Sequence, residues 1–472
     1  MKILRGMANL SDSGLLPDRR AVLRLQAAAD RVDCPMERLR DFILRHTALM
    51  AAATAGLAGP AQADSPDPAA APAALEALGR WLARPVGERP AMADQPFATV
   101  ALTKAEAEQA KSLLWNDHAA LVRTTRTEEM NAGQIVIDGR TLRFEKRVYG
   151  EKPESGHSLF ISMHGGGGAP THVNDSQWRN QLRLGDSYHP KEGIYVAPRA
   201  PTDTWNLWHE AHIDGLFDRL IQNFIVLEGV NPNRVYLMGY SAGGDGVYQL
   251  APRFADRLAA ASMMAGHPNE ASPLGLRNIG FALHMGALDS AYNRNKVARE
   301  WGDKLAALRA EDPHGYAHQV GMHEGKSHWM ELEDRIAIPW MEEFTRNPWP
   351  TVIVWRQDDV IHDRFYWLTV PRAEARAGDE IRARLDGPMI TLQSNRDLSV
   401  SLALDDALLD LDTPVTVKTK DGQTLFAGRA TRTLAALHQS LASRGQKPLM
   451  AAALVPLPNL PAAAPDKPAA TD

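Results

Sequence analysis

The chain has 472 residues, 44% hydrophobic and 23% charged, the balance of a soluble globular protein with room for more than one domain. A net charge of −5, with no clustered Lys/Arg stripe, argues against nucleic acid as a partner. The lone cysteine, Cys34, excludes an intramolecular disulfide and leaves the redox compartment open.

In chain order, Arg38, Arg40 and Arg45 precede a short apolar run, Thr47 to Ala58, and then Ala61-Gln62-Ala63. A charged region, a short apolar region and an Ala-x-Ala exit make a secretory signal and predict export, periplasmic or extracellular. The run is too short for a membrane span. Met36 is an alternative start, and Arg19-Arg20 lacks the close apolar run of a twin-arginine signal. A Pro/Ala linker, Ser65 to Ala73, leads into helices predicted at Ala74–Leu82 and Lys104–Arg123.

From about Ile135 short apolar runs alternate with helical ones, which predicts a mostly parallel sheet flanked by helices. Its strands are read at Ser158–Met163, Ile194–Ala197, Val235–Met238, Ala259–Met264, Phe281–Met285 and His318–Met322. Helices are expected over Ile213–Ile225, Lys296–Ala310 and, if Pro339 only kinks it, Trp329–Phe344. Beyond Pro350 a small β-rich C-terminal domain is predicted, at 349–454. Its strands are read at Val352–Trp355, Phe365–Val370, Ile381–Leu385 and Leu398–Leu404, with a hairpin around Asp421-Gly422 and one helix near Thr431–Leu441. The Pro/Ala-rich tail from Val455 is expected to be disordered.

Gly239-Tyr240-Ser241-Ala242-Gly243 lies between a strand and a helix. A serine hydroxyl is a weak nucleophile unless exposed and close to a base, and small neighbours allow the sharp turn that presents it. His164-Gly165-Gly166-Gly167-Gly168 ends an earlier strand, where backbone N–H groups can turn inward without side chains in the way. The amides of Gly165 or Gly166, with Ala242, are the expected donors to a tetrahedral oxyanion. A phosphate-cradling loop would need a following Lys-Ser/Thr, which is absent. Asp289, just past a strand, is the expected acid, with Glu270 as the alternative. His328, in the loop after the last strand, is the expected base, with His323 competing. Trp178, Trp205, Trp208, His209 and His267 follow strand ends or the glycine loop and are candidate substrate contacts, as tryptophans that stack on a sugar, an aromatic acyl group or a polymer. They can equally serve to close the loop layer. His209-Glu210-Ala211-His212 is one residue short of the zinc-protease spacing, so neither metal nor cofactor is expected.

Residues 135–345, through His164 to Gly168, Gly239 to Gly243, Asp289 and His328 in that order, resemble the α/β-hydrolase superfamily. They are most similar to secreted esterases and peptidases related to polyhydroxybutyrate depolymerases, feruloyl esterases and the catalytic domain of prolyl oligopeptidases. The resemblance implies a Ser-Asp-His triad and hydrolysis through an acyl-enzyme. The chain lacks the preceding β-propeller of the oligopeptidases and the cysteine pairs of many secreted depolymerases. An ester substrate, small or polymeric, is the first expectation and a peptide the second. A non-catalytic polymer or cell-surface binding protein on the same fold is the rival from another class.

Overall fold

The computed structural model describes residues 70–463, which belong to one compact unit. The leader pattern and residues 464–472 lie outside the described residues. None of the described helices is long and apolar enough to cross a membrane.

Two helices come first, α1 (Ala70–Leu82) and α2 (Lys104–Ala132). The first begins inside the predicted linker, because Ala71, Ala74, Leu75, Leu78 and Trp81 form one buried face. The second starts at a capping box in which Thr103 and Glu106 satisfy each other's backbone N–H groups.

The central sheet has eight strands: β1 (Gln134–Ile137), β2 (Arg140–Tyr149), β3 (His157–Met163), β4 (Gly193–Arg199), β5 (Val230–Tyr240), β6 (Ala260–Met264), β7 (Gly280–Gly286) and β8 (His318–His323). Their spatial order is β1-β2-β4-β3-β5-β6-β7-β8. From β4 onward all neighbours are parallel; β1 and β2 form an antiparallel edge. This is the mostly parallel α/β-hydrolase sheet that the resemblance implies. Between its strands run α3 (Thr171–Tyr188), α4 (His212–Asn223), α5 (Ala242–Arg253) and α6 (Arg294–Glu311). Every residue of β3, β4, β6 and β7 is buried, as parallel strands covered by helices on both faces require.

Several expectations need correction. Trp329–Phe344 is not one helix: only α7 (Ala337–Glu342) is α-helical, after a 3₁₀ turn at Glu333–Ile336. Glu331 and Leu332 have positive φ, and Met330 is tied by its backbone to Tyr240, so the segment before 333 is held as a loop. Phe365–Val370 is a tight hairpin, β10 (Arg364–Phe365) against β11 (Leu368–Thr369), turning at Tyr366 with φ 50°. The predicted strand Leu398–Leu404 is regular only as β14 (Ser401–Leu404). The tail is ordered further than expected: β17 (Ala453–Pro456) pairs with β14, and Leu460 is buried and bridges Leu398.

The β-rich region contains two sheets. One has the order β10-β11-β14-β17. The other joins β9 (Val352–Arg356), β12 (Glu380–Asp386), β13 (Met389–Ser394), β15 (Val415–Thr419) and β16 (Thr424–Gly428) in the order β16-β15-β13-β12-β9. A helix, α8 (Leu434–Arg444), follows. This region meets the central sheet through buried charge. Arg444 and Arg257 both pair with Asp256, and Arg346 donates to the Asp256 carbonyl and to Gln446. His362 and Arg253 share Asp214, and the Tyr366 hydroxyl donates to the Ala255 carbonyl.

Candidate active site

Ser241 stands at the carboxyl end of β5, at the step into α5, with φ 58° and ψ −121°. A non-glycine residue there stores backbone strain, which the surroundings must hold in place. Its N–H donates to the Met264 carbonyl at 2.9 Å. The flanking glycines allow the turn by close approach. A Cβ on Gly239 would lie 2.2 Å from the Gly243 oxygen, and one on Gly243 would lie 2.1 Å from the Met163 oxygen. Neither neighbour can yield, because both are backbone.

His328, in the loop after β8, has Nε2 2.9 Å from Ser241 Oγ and Nδ1 2.7 Å from Asp289 Oδ2. With Nδ1 protonated and donating to the carboxylate, Nε2 is left to accept from the hydroxyl. Asp289 is buried beside β7, and its other oxygen lies 3.5 Å from Arg294. The loops carrying Asp289 and His328 are laced together: Ala287 and Leu288 donate to the carbonyls of His323 and Lys326, and Gly286 packs where a Cβ would meet the Ser327 oxygen at 1.9 Å.

The Tyr240 hydroxyl was not visible as a site feature in the sequence. It donates to the His328 carbonyl at 2.7 Å and accepts from the Met330 N–H at 3.0 Å. The residue next to the serine thus anchors the loop that brings the imidazole. Burial pushes its own phenol pKa well up, so it remains a donor.

The glycine loop after β3 is fixed from behind. His164 is buried and held down to about 4 by desolvation, hence neutral. Its Nδ1–H donates to the Gly165 carbonyl at 2.6 Å, and its Nε2 accepts from Ala200 N–H at 3.2 Å. Asn174 of α3 pins the next peptide, accepting from Gly167 N–H at 3.1 Å and donating to its carbonyl at 2.9 Å. The Gly165 and Gly166 amides between these anchors have no protein acceptor among the described residues. Ala242 opens α5, where the first N–H groups lack intrahelical partners. Gly165 sits so close to the serine that a Cβ there would be 3.1 Å from Ser241 Cβ.

A cavity of about 560 Å³ opens over these groups, lined by Gly165, Gly166, Tyr240, Ser241, His328, Trp329 and a face of α3. A larger one, about 680 Å³, lies between Trp115 and Trp349, with no serine or histidine in its lining.

None of the five expected substrate contacts lines the cavity beside Ser241. Trp208 is fully buried behind the glycine loop, donating from its indole to the His164 carbonyl at 2.9 Å. Trp178 donates to the Ala197 carbonyl and carries Arg143 on its ring. Trp205 is 62% exposed, with His209 edge-on to it. His267 donates its backbone N–H to Asp245 at 2.6 Å and bonds Asn269 through Nδ1. Trp178 and Trp208 thus spend their indole N–H groups on backbone carbonyls. The residues in their place are Val173, Gln177, Asn180, Gln181, Arg183, Leu184 and Ser187 of α3, a helix absent from the sequence reading. Of the alternatives for acid and base, Glu270 accepts from Gln249 and groups with Asp358 and Asp359. His323 stacks on His284 and bonds Glu333.

No protein-family model and no curated protein matches the chain. Solved structures do. It is 14% identical to the poly(3-hydroxybutyrate) depolymerase LpqC from Bordetella parapertussis, over 49% of this chain and 95% of that one, with a TM-score of 0.35. A thermostable esterase is 17% identical over 45% of this chain and 62% of its own, TM-score 0.35. The S-formylglutathione hydrolase FrmB from Staphylococcus aureus is 12% identical over 44% of this chain and 96% of its own, TM-score 0.31.

Proposed function

We propose that the protein is a serine hydrolase that cleaves carboxylic esters through an acyl-enzyme, with Ser241, His328 and Asp289 as its triad. One observation carries this reading: His328 bridges the other two through opposite ring nitrogens, at 2.9 and 2.7 Å, beside a cavity. A bland loop histidine has no reason to complete that line, nor would a binding module need to hold Ser241 at φ 58°.

Ser241 Oγ attacks the ester carbonyl as its proton passes to His328 Nε2, and Asp289 holds the tautomer and stabilises the imidazolium. The oxyanion is received by Ala242 N–H and those of Gly165 or Gly166, each such donor being worth about 3–4 kcal/mol. Collapse expels the alcohol, which takes the proton from His328. Water then attacks the acyl-enzyme with His328 again as base, releasing the acid and restoring the hydroxyl. Esters are favoured over peptides because the cavity lining holds no Asp or Glu to anchor a peptide amino terminus. The leader pattern supports export of the mature chain.

Substitution of Ser241→Ala is expected to lower kcat on 4-nitrophenyl hexanoate by about 10⁴-fold or more. It should also abolish covalent labelling by a fluorophosphonate, with the melting temperature preserved. Turnover or labelling that persists in the variant removes Ser241 from the role. Parallel rates on aminoacyl amides separate esterase from peptidase.

A further inference from the structure

We propose that the cavity beside Ser241 selects esters that carry a free carboxylate on the acyl group, and that Arg183 is the residue that reads it. The proposal rests on the hydrolase reading above and adds the substrate class.

The argument starts from α3. Its residues 173, 177, 180, 181, 184 and 187 fall on one helical face and wall the cavity together with Arg183. Gln181 is committed inward, donating to Ser162 Oγ at 2.6 Å, whereas Gln177, Asn180 and Ser187 present neutral hydrogen-bonding groups. Arg183 is the only Lys or Arg in the lining, and no carboxylate lines the cavity at all. An exposed guanidinium without a counter-charge, at the edge of a cavity lined otherwise by neutral groups, favours an anion.

Three arginines close to this helix are paired. Arg143 and Arg199 both pair with Asp175, Arg199 also reaches Asp203, and Arg147 pairs with Asp186. Arg183 forms no ion pair among the described residues; its one hydrogen bond runs from Nη1 to Asn180 Oδ1 at 3.3 Å, on its own helix. On α3 itself neither Arg179 nor Arg183 has a carboxylate partner among the described residues, and of the two only Arg183 lines the cavity. Arg183 is exposed, hydrated when the cavity is empty, and its planar fork is free to turn to a carboxylate bound there.

The test compares two substrates of equal acyl length, 4-nitrophenyl hydrogen adipate and 4-nitrophenyl hexanoate, as a ratio of kcat/KM corrected for spontaneous hydrolysis. The wild type should favour the adipate by about 3- to 5-fold, as an ion pair to an exposed arginine supplies. Arg183→Gln should bring that ratio close to one, mainly through KM for the adipate, and Arg183→Lys should retain part of it. A ratio near one in the wild type, or one unchanged in Arg183→Gln, overturns the proposal. Binding to Ser241→Ala gives a readout free of turnover. Adipate should raise its melting temperature more than adipamide does, and the Arg183→Gln change should erase the difference. Equal shifts for the two ligands also overturn the proposal. Absence of turnover and of fluorophosphonate labelling, with the adipate shift intact, would instead count against the hydrolase reading alone.

Discussion

Replacing Tyr240 by Phe removes a single oxygen and keeps the ring that lines the cavity. That oxygen accepts from Met330 N–H at 3.0 Å and donates to the His328 carbonyl at 2.7 Å, and Met330 is wholly buried. Leaving a buried N–H without an acceptor costs about 1–3 kcal/mol, and the lost bond to the carbonyl adds about 1 kcal/mol. The sum, about 2–4 kcal/mol, falls on the loop that carries His328. Water entering the gap returns part of it, so the share that frees His328 from Ser241 is about 1.4–2.8 kcal/mol, or 10- to 100-fold in kcat/KM. The assay is steady-state hydrolysis of 4-nitrophenyl hexanoate together with urea unfolding. The expected pattern is a fall in kcat at nearly constant KM, with a modest loss of stability. A variant within twofold of wild-type kcat/KM refutes the anchoring role. A rise in KM at constant kcat would show instead that the hydroxyl binds substrate.

Two further outcomes follow from local geometry and titration. Gly243→Ala drives a Cβ to 2.1 Å from a backbone oxygen and is expected to cost about 1–3 kcal/mol or more, seen as a lower melting temperature. Gly215→Ala, in α4 with nothing within 4 Å of the new Cβ, should instead be neutral or stabilise by up to about 1 kcal/mol; equal effects would defeat the argument. Burial raises Asp245 from the ordinary 3.8 to about 6, so its contribution to stability is full below pH 4 and is lost as pH rises through 6. Asp245→Asn should therefore gain on the wild type between pH 4.5 and 7.5, by on the order of 2–3 kcal/mol. A difference that stays flat across that window would contradict the burial account. Buried His164 and His284, lowered to about 4 and about 3, act in the opposite direction, stabilising above pH 6.5 and losing that as pH falls. Both are present in wild type and variant, so the difference isolates Asp245.

How much of this was legible in the sequence follows from what each element buries. Parallel strands covered on both faces must be apolar throughout, so Leu159-Phe160-Ile161 and Phe281-Ala282-Leu283 announce themselves. Ser241 and Asp289 are legible because each directly follows such a strand, whereas His328 follows the half-buried edge strand β8 and is legible from its place in a loop between Ser327 and Trp329. Helix α3 is not, since its inward side is Asn174, Gln181, Gly185 and Tyr188 rather than an apolar stripe. Each has a local reason: Asn174 pins the glycine loop, Gln181 bonds Ser162, and Gly185 leaves room for Tyr195. The wall of the cavity was therefore hidden, and the tryptophans drew the substrate role in its place. Tyr240 was hidden for another reason: its partner is a backbone carbonyl 88 residues away, which leaves no trace in residue type. The tail misled through its prolines, although Val455 and Leu460 supply the apolar contacts that hold it.

The shared charges between the two halves bear on how such a protein can be rearranged. Arg257, Arg346 and Asp256 belong to the part before residue 349, yet Arg444 and Gln446, which complete their set, come from beyond it. A shortened chain ending at the junction would leave Asp256 without Arg444 and Arg346 without Gln446. Separating the two parts thus costs each of them buried polar partners, which ties the C-terminal β-rich region to the central sheet as one folding unit.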